Sequence, residues 1–561
     1  MTPVLLPMPR RMTIQPPAPD APRDQQVTET VDPAVTRPQG YLIEADEQAI
    51  RLIAHDDAAM FYARQTLAQL HRQHGPTPPP LRIEDWPDFP VRGVMLDISR
   101  DKVPTMATLL ALVDLLASWK INQLQLYTEH TFAYAGHEEV WQNASPMTGP
   151  EIRELDEYCR ARFIELVPNQ NSFGHMERWL KHPRYLPLAE APDGAQTPWG
   201  YRWKGPFGLC PTDPRSLRLL ADLYAQLLPN FSSPLFNVGC DETFDIGQGR
   251  SKAQCETRGV ERVYLEFLQS IHQLVDVVGR RMMFWGDIIV KHPDSIRQLP
   301  SDLIALCWDY EASGDLDIQA ARFAESGIPF YVCPGTSSWN SISGRTDNML
   351  ANQRAAAAAG LAHGAIGYLN TDWGDNGHLQ YLPISFAGLA AGAAVSWCLQ
   401  SNPLGPEFAA ALDLHAFADE AAVMGKLALQ FGNVYQAVGK QESNRSALFS
   451  ILAPSSAHAD PMQGITMEGL DAAAAAIDAS ISRLGAARMG REHASLIQQE
   501  LANAAAMLRY ACRRGRSALD PAAGDVRELA DQLRQIVDSH RRCWLARNRP
   551  GGLDDSVGRL V

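Results

Sequence analysis

Short runs of β-branched and aromatic residues recur between residues 91 and 400, and each is followed by a stretch with apolar positions at helical spacing. Eight runs read as strands: Gly93–Ile98, Gln123–Tyr127, Phe163–Pro168, Leu235–Val238, Met282–Trp285, Ile304–Trp308, Phe330–Cys333 and Ile366–Leu369. Met106, Leu109, Val113 and Leu116 share one face of the first intervening helix, with Pro104 near its start. Ile152, Leu155 and Tyr158 do the same in the second. Strands alternating with helices imply parallel pairing, and eight such units predict an α/β fold of the (β/α)8 TIM-barrel type.

The flanks read differently. In residues 1–90, Tyr41–Ala45 and Ile50–Ala54 predict strands, and Asp56–Gln73 a helix with Asp56 or Asp57 as N-cap, before the connector Thr77-Pro78-Pro79-Pro80. This predicts a small N-terminal α+β domain. Residues 401–561 are Ala-rich, with helices expected over 470–484, 493–513 and 525–542, ended by Arg549-Pro550-Gly551-Gly552. They predict a C-terminal helical extension, either bracing the barrel at 91–400 or forming a homodimer.

Composition narrows the function. The 561 residues are 45% hydrophobic and 20% charged, as in a globular protein, and the length suggests three or four domains. Fifty Lys+Arg against 64 Asp+Glu give a net charge of −14, which disfavours nucleic acid as a partner. The run 384–399 is too short and too rich in Gly and Ser to span a membrane. Val4-Leu5-Leu6 is too brief for a secretory core, so a cytoplasmic location is expected. Nine scattered cysteines without a C-x-x-C motif read as reduced thiols.

In a (β/α)8 barrel the chemistry belongs at the C-terminal ends of the strands. Those ends carry Arg100, Glu129, His175, Asp241-Glu242, Trp285, Trp308, Trp339-Asn340 and Trp373-Gly374-Asp375. Carboxylates and tryptophans without a Gly-rich phosphate loop point to a sugar pocket. Indole faces stack on pyranose C–H faces, and carboxylates bind hydroxyls and move protons. The adjacent Asp241 and Glu242 point to opposite sides if the chain stays extended. If both face one site, repulsion is expected to raise one pKa. Asp241 as a helix cap beside a solvated Glu242 is the structural alternative.

These blocks resemble glycoside hydrolase family 20, the β-N-acetylhexosaminidases. Asn237-Val238-Gly239-Cys240-Asp241-Glu242 is similar to the family's His-x-Gly-Gly-Asp-Glu. The stretch Ile83–Gly93 resembles its entry into the barrel, Leu96–Arg100 its first strand, Gly174-His175 its Pro-Gly-His and Trp373-Gly374-Asp375 its Trp-x-Glu. The likeness covers roughly residues 1 to 400 and leaves out the helical tail. It implies an exo-acting, retaining hydrolase of terminal β-linked GlcNAc or GalNAc, in which the substrate's own 2-acetamido oxygen is the nucleophile, with no cofactor and no metal. Glu242 would be general acid and then base, and Asp241 would hold the acetamido N–H and stabilise an oxazolinium-like intermediate. Arg100 and Asp375 would bind sugar hydroxyls. Trp285, Trp308 and Trp373 would wall the ring, and His175 with Glu129 would form a relay tuning Glu242.

The chain also departs from the pattern. Glu129-His130 stands where tandem Asp is usual, Asn171 replaces an Asp, Phe173 a Pro and Cys240 a Gly. No tyrosine follows strand seven to bind the acetamido oxygen; Trp339 and Asn340 are nearest, and the Asn340 amide could donate instead. The alternatives are a silent glycan-binding protein, or a glycosidase releasing a disaccharide or accepting a phosphorylated amino sugar.

Overall fold

The computed structural model describes residues 2–15, 25–34, 37–454 and 460–561. Five strands, β1 (Arg11–Ile14), β2 (Gln26–Val31), β3 (Tyr41–Ala45), β4 (Ala49–Ala54) and β5 (Leu81–Asp85), form an N-terminal mixed sheet in the order β1-β5-β3-β4-β2. The helix Asp57–His74 packs on it, and Asp56 caps that helix by accepting the Ala59 N–H. Strands β1, β2 and β5 lie outside the runs read as strands from the sequence. The edge strand β2 is exposed along its whole length, so it carries no alternation of buried and exposed positions to betray it.

The second sheet holds β6 (Val91–Asp97), β7 (Gln123–Tyr127), β8 (Glu165–Val167), β9 (Leu235–Asn237), β10 (Arg281–Trp285), β11 (Ile304–Trp308), β12 (Phe330–Cys333) and β13 (Gly367–Asp372). All neighbours in the order β8-β7-β6-β13-β12-β11-β10-β9 pair in parallel. A parallel bridge between Asn169 and Asn237 joins the two ends into a near-closed barrel. The eight strands are those the pattern predicts, with ends shifted by a few residues. The bore is packed by inward side chains including Met95, Tyr127, Val167, Met283, Leu306, Tyr331 and Leu369.

Buried polar groups tie the N-terminal sheet to the barrel. Asp85 accepts from Tyr41 Oη (2.6 Å) and Trp397 Nε1 (2.9 Å), and Lys120 Nζ lies 3.4 Å from it. Arg92 donates to the Lys120 and Phe89 carbonyls and lies over the Trp397 ring.

The tail folds into the long helices Met467–Ile481, Ala494–Leu519 and Val526–Arg547. It grips the barrel through polar contacts: Asn503 Nδ2 donates to Tyr381 Oη (2.7 Å), and Arg549 pairs with Glu151 (2.8 Å). Within it, Arg547 and Glu500 form a buried two-pronged ion pair, at 2.6 and 2.9 Å. Removing one partner leaves the other charge buried and unpaired. Glu500→Ala is therefore expected to cost about 3–5 kcal/mol, read as a lower denaturation midpoint. An unchanged midpoint would show that water reaches Arg547.

Candidate active site

An open cleft of about 410 Å³ sits at the C-terminal mouth of the barrel, lined by Arg100, His175, Asp241, Glu242, Trp285, Trp308, Tyr310, Trp373, Asp375 and Asn444. Its floor is made where β9 ends. Gly239, Cys240 and Glu242 all take positive φ (70°, 73° and 51°), so the chain leaves the extended form at once. The opposite-sides rule for neighbours then lapses, and both carboxylates reach one imidazole. His175 Nε2 stands 3.3 Å from Asp241 Oδ2 and 3.3 Å from Glu242 Oε2.

The left-handed backbone at Cys240 is held from several sides. Asn171 Oδ1 accepts the Cys240 N–H at 3.3 Å, Asn171 Nδ2 donates to Asp241 Oδ1 at 3.1 Å, and Tyr264 Oη donates to the Cys240 carbonyl at 3.1 Å. A Cβ on Gly239 would come within 2.4 Å of Asn171 Oδ1, so a side chain there would displace this strut. Phe173 stacks on Tyr264 at 5.7 Å behind it. An asparagine at 171 donates to Asp241 where a carboxylate would repel it.

The electrostatics depart from simple repulsion between the pair. Burial pushes the Asp241 carboxyl up, but His175 and Arg100 outweigh it and hold the group below its ordinary value. Burial disfavours the His175 cation, yet Asp241 and Glu242 hold its pKa well above the ordinary range. Two carboxyls beside the pair are raised. Burial, with the charges of Asp241 and Glu242, pushes Asp287 up to about 7. Its Oδ2 accepts the Glu242 N–H at 3.2 Å. Burial lifts Asp375 to about 6 against the pull of Arg100.

Arg100 both lines the cleft and is pinned from behind. Its guanidinium pairs with Asp97 (3.0 Å) and Glu129 (3.1 Å) and lies over the rings of Tyr127 and Trp373 at 4.5 and 4.9 Å. Its Nη2 lies 3.3 Å from His175 Nδ1. The expected His175–Glu129 relay therefore takes a different form, with Arg100 standing between the two residues. Glu129 is buried beneath the cleft rather than in it; burial lifts it to about 7, against Arg100.

Trp285, Trp308 and Trp373 wall the cleft as expected, with Trp285 and Trp373 tilted at 5.9 Å. Trp339 and Asn340 do not join them. Ser337 and Asn340 have positive φ (53° and 51°), which turns the chain after β12 away from the cavity. Trp339 is buried, edge-on to Tyr310, and donates through Nε1 to Asn444 Oδ1 at 3.0 Å. Asn340 Nδ2 donates to the Asn444 carbonyl (3.4 Å), and its Oδ1 accepts from Asn376. Both are supports for a residue that does face the cleft.

Two lining residues escaped the reading of the sequence. Tyr310 stacks on Trp308 (5.1 Å), and its Oη accepts from Trp373 Nε1 at 2.7 Å, with the Thr371 hydroxyl as a second hydrogen-bond partner. It stands two residues beyond Trp308, a spacing that strand alternation could have flagged. Asn444 comes from a small hairpin, Gln441–Glu442 and Arg445–Ser446, in the C-terminal region. Its N–H donates to Glu311 Oε1 at 2.6 Å, and Glu311 is gripped by Arg345. Nothing local in the sequence marks it. Among the described residues, no group of three or more His, Cys, Asp or Glu is placed to hold a metal ion, and no helix is long and apolar enough to cross a membrane. All nine cysteines are buried and unpaired by disulfides.

A near-closed parallel barrel with paired carboxylates in a tryptophan-walled cleft is the architecture of a sugar-cleaving enzyme class, and comparison with known proteins gives the family. The family model "Glycosyl hydrolase family 20, catalytic domain" matches residues 89–339, and "Glycosyl hydrolase family 20, domain 2" matches residues 8–86. The chain belongs to glycosyl hydrolase family 20, among the β-hexosaminidases. Its relatives are distant. It is 25% identical to hexosaminidase D of Bos taurus over 250 residues, which are 42% of this chain and 69% of that one. It is also 25% identical to the β-hexosaminidase of Vibrio furnissii over 333 residues, 53% of this chain and 51% of that one. The chain spans about half the length of most of the curated relatives it matches. In fold it is similar to the chitobiase of Flavobacterium johnsoniae, with a TM-score of 0.59 at 14% identity over 96% of this chain and 99% of that one. That likeness runs through the helical tail.

Proposed function

We propose that this protein is an exo-acting, retaining β-N-acetylhexosaminidase that releases terminal β-linked GlcNAc or GalNAc by substrate-assisted catalysis. The observation that carries this reading is the meeting of Asp241 and Glu242 on one imidazole at the floor of a tryptophan-walled cleft. The held-ionised Asp241 accepts the acetamido N–H, which aims the acetamido oxygen at the anomeric carbon and counters the charge of the resulting oxazolinium ion. An attached nucleophile needs no loss of translational freedom in the step. Glu242 protonates the departing glycosidic oxygen and then takes a proton from water, which opens the ring with net retention. Arg100 and Asp375 bind hydroxyls of the same sugar, and domains 1–90, 91–400 and 401–561 act as one unit around it.

Tyr310 fills the role for which no tyrosine follows strand seven: its hydroxyl donates to the acetamido oxygen. This removes the motive for reading the protein as a silent glycan binder. Tyr310→Phe is expected to lower kcat by roughly 10–100-fold with a smaller change in KM, since the bond strengthens as the oxygen attacks. Equal kcat in the two proteins would exclude the role.

Hydrolysis of a chromogenic N-acetyl-β-glucosaminide tests the activity, and inhibition by a thiazoline analogue of the cyclised intermediate tests substrate assistance. Indifference to the analogue would rule out the acetamido nucleophile. The pH profile supplies a further check. With Asp375 lifted to about 6, lowering the pH through 6 protonates it and removes a carboxylate acceptor for sugar hydroxyls. Asp241, held below its ordinary value, stays ionised there. A fall in kcat/KM on the acid side near pH 6 is expected, and Asp375→Asn should abolish that limb.

A further inference from the structure

The connection from β8 to the helix Pro214–Leu227 is long and carries only the short helix Glu177–Leu180 and one turn of 3₁₀ helix, Leu186–Leu188. Connections of this length with so little regular structure are usually functional. Together with Phe244, from the segment after β9, it lays a chain of aromatic rings outward from the reacting pair. His175 meets Phe207 edge-on at 4.8 Å, and Phe207 packs against Phe244 at 4.4 Å. Phe244 meets Trp199 edge-on at 5.7 Å, and Trp199 stacks on Tyr201 at 6.0 Å with 23° between planes.

Trp199 is 50% exposed, and no other tryptophan among the described residues is exposed to this degree. With Tyr201 and Phe244, both half-buried, it makes a contiguous aromatic patch rather than a lone surface ring. Its position indicates a partner. Phe244 is two residues from Glu242, so the aromatic surface begins beside the general acid. The acid stands on the leaving-group side of the scissile bond, so a surface continuing past it meets the group that departs. Polar groups border that surface, since the Tyr201 phenol lies within electrostatic reach of both Glu242 and Arg445.

We propose that Trp199 and Tyr201, backed by Phe244, bind the pyranose ring to which the terminal amino sugar is attached. The preferred substrate is then a β-linked oligosaccharide rather than a glycoside of a small alcohol. This rests on the hexosaminidase reading and adds the leaving-group subsite to it. A planar indole covers the C–H face of a sugar ring, while the flanking polar groups reach its hydroxyls.

The test compares diacetylchitobiose with methyl N-acetyl-β-glucosaminide, two substrates with alkoxide leaving groups that differ in what occupies this surface. Trp199→Ala should lose about ten-fold in kcat/KM on the disaccharide and less than about two-fold on the methyl glycoside, with Trp199→Tyr recovering most of the loss. An equal loss on both substrates, or none on either, would overturn the subsite. Binding of diacetylchitobiose by calorimetry separates the two layers of the argument. Wild type that cleaves neither substrate yet binds the disaccharide more tightly than Trp199→Ala would sink the hydrolase reading and keep the subsite. Equal binding by both proteins would sink the subsite.

Discussion

Glu242→Gln is expected to lower kcat/KM on a sugar-linked substrate by about 10²–10⁴-fold, the span that a positioned general acid supplies. Glutamine keeps the shape of the side chain and can still donate to His175 or accept from it, so the cleft should survive. What disappears is the proton for the departing oxygen. The loss should therefore depend on the leaving group. A nitrophenolate departs with little help, so its release should suffer less than that of a sugar alkoxide. Water attack on the cyclised intermediate still needs a base, so added azide, which needs none, should restore turnover of the activated substrate and give a β-glycosyl azide. Equal rates in wild type and variant on the sugar-linked substrate would refute the assignment of Glu242.

Asp241→Asn should cost about 10²–10³-fold in kcat, comparable to removing one preorganised electrostatic group from a transition state. The carboxylate is held ionised by His175 and Arg100, so its charge is in place before substrate arrives. The neutral amide can still meet the acetamido group but no longer balances the oxazolinium charge. Binding of a thiazoline analogue should weaken with the rate, because the analogue borrows the stabilisation meant for the intermediate. A second consequence is independent of turnover. Asp241 is a main cause of the raised His175 pKa, so the variant's imidazole should titrate lower than the wild type's, as followed by NMR. No helix begins at Asp241, whose carboxylate meets Asn171 and His175, so an unchanged titration together with an unchanged rate would show that its charge is not used.

Much of this site is legible along the chain because barrel topology turns a one-dimensional rule into a place. Residues just past each parallel strand must gather at one mouth, so Arg100, His175, Asp241, Glu242, Trp285, Trp308, Trp373 and Asp375 could be grouped from order alone, and all eight line the cleft. The rule says nothing about which way the chain turns after a strand ends. It therefore placed Trp339 and Asn340 in the cleft, where positive φ at Ser337 and Asn340 directs them behind it. It also counted Glu129 as a lining residue, although Arg100 covers it.

Periodicity and composition by themselves determined eight parallel strands, a helical tail and the paired carboxylates at the end of β9. These are local properties: a strand needs only its own run of side chains, and adjacent residues need no fold to be adjacent. Three decisive features were set by long-range packing. The meeting of Asp241 and Glu242 on His175 depends on a left-handed backbone that Asn171 and Tyr264 hold from other elements. The hydroxyl of Tyr310 is directed by Trp373, 63 residues further along the chain. Asn444 reaches the cleft from a hairpin that Glu311 and Trp339 hold across more than 100 residues of sequence. Each contact is made because the barrel closes and the tail packs on it, and no window along the chain contains both of its partners.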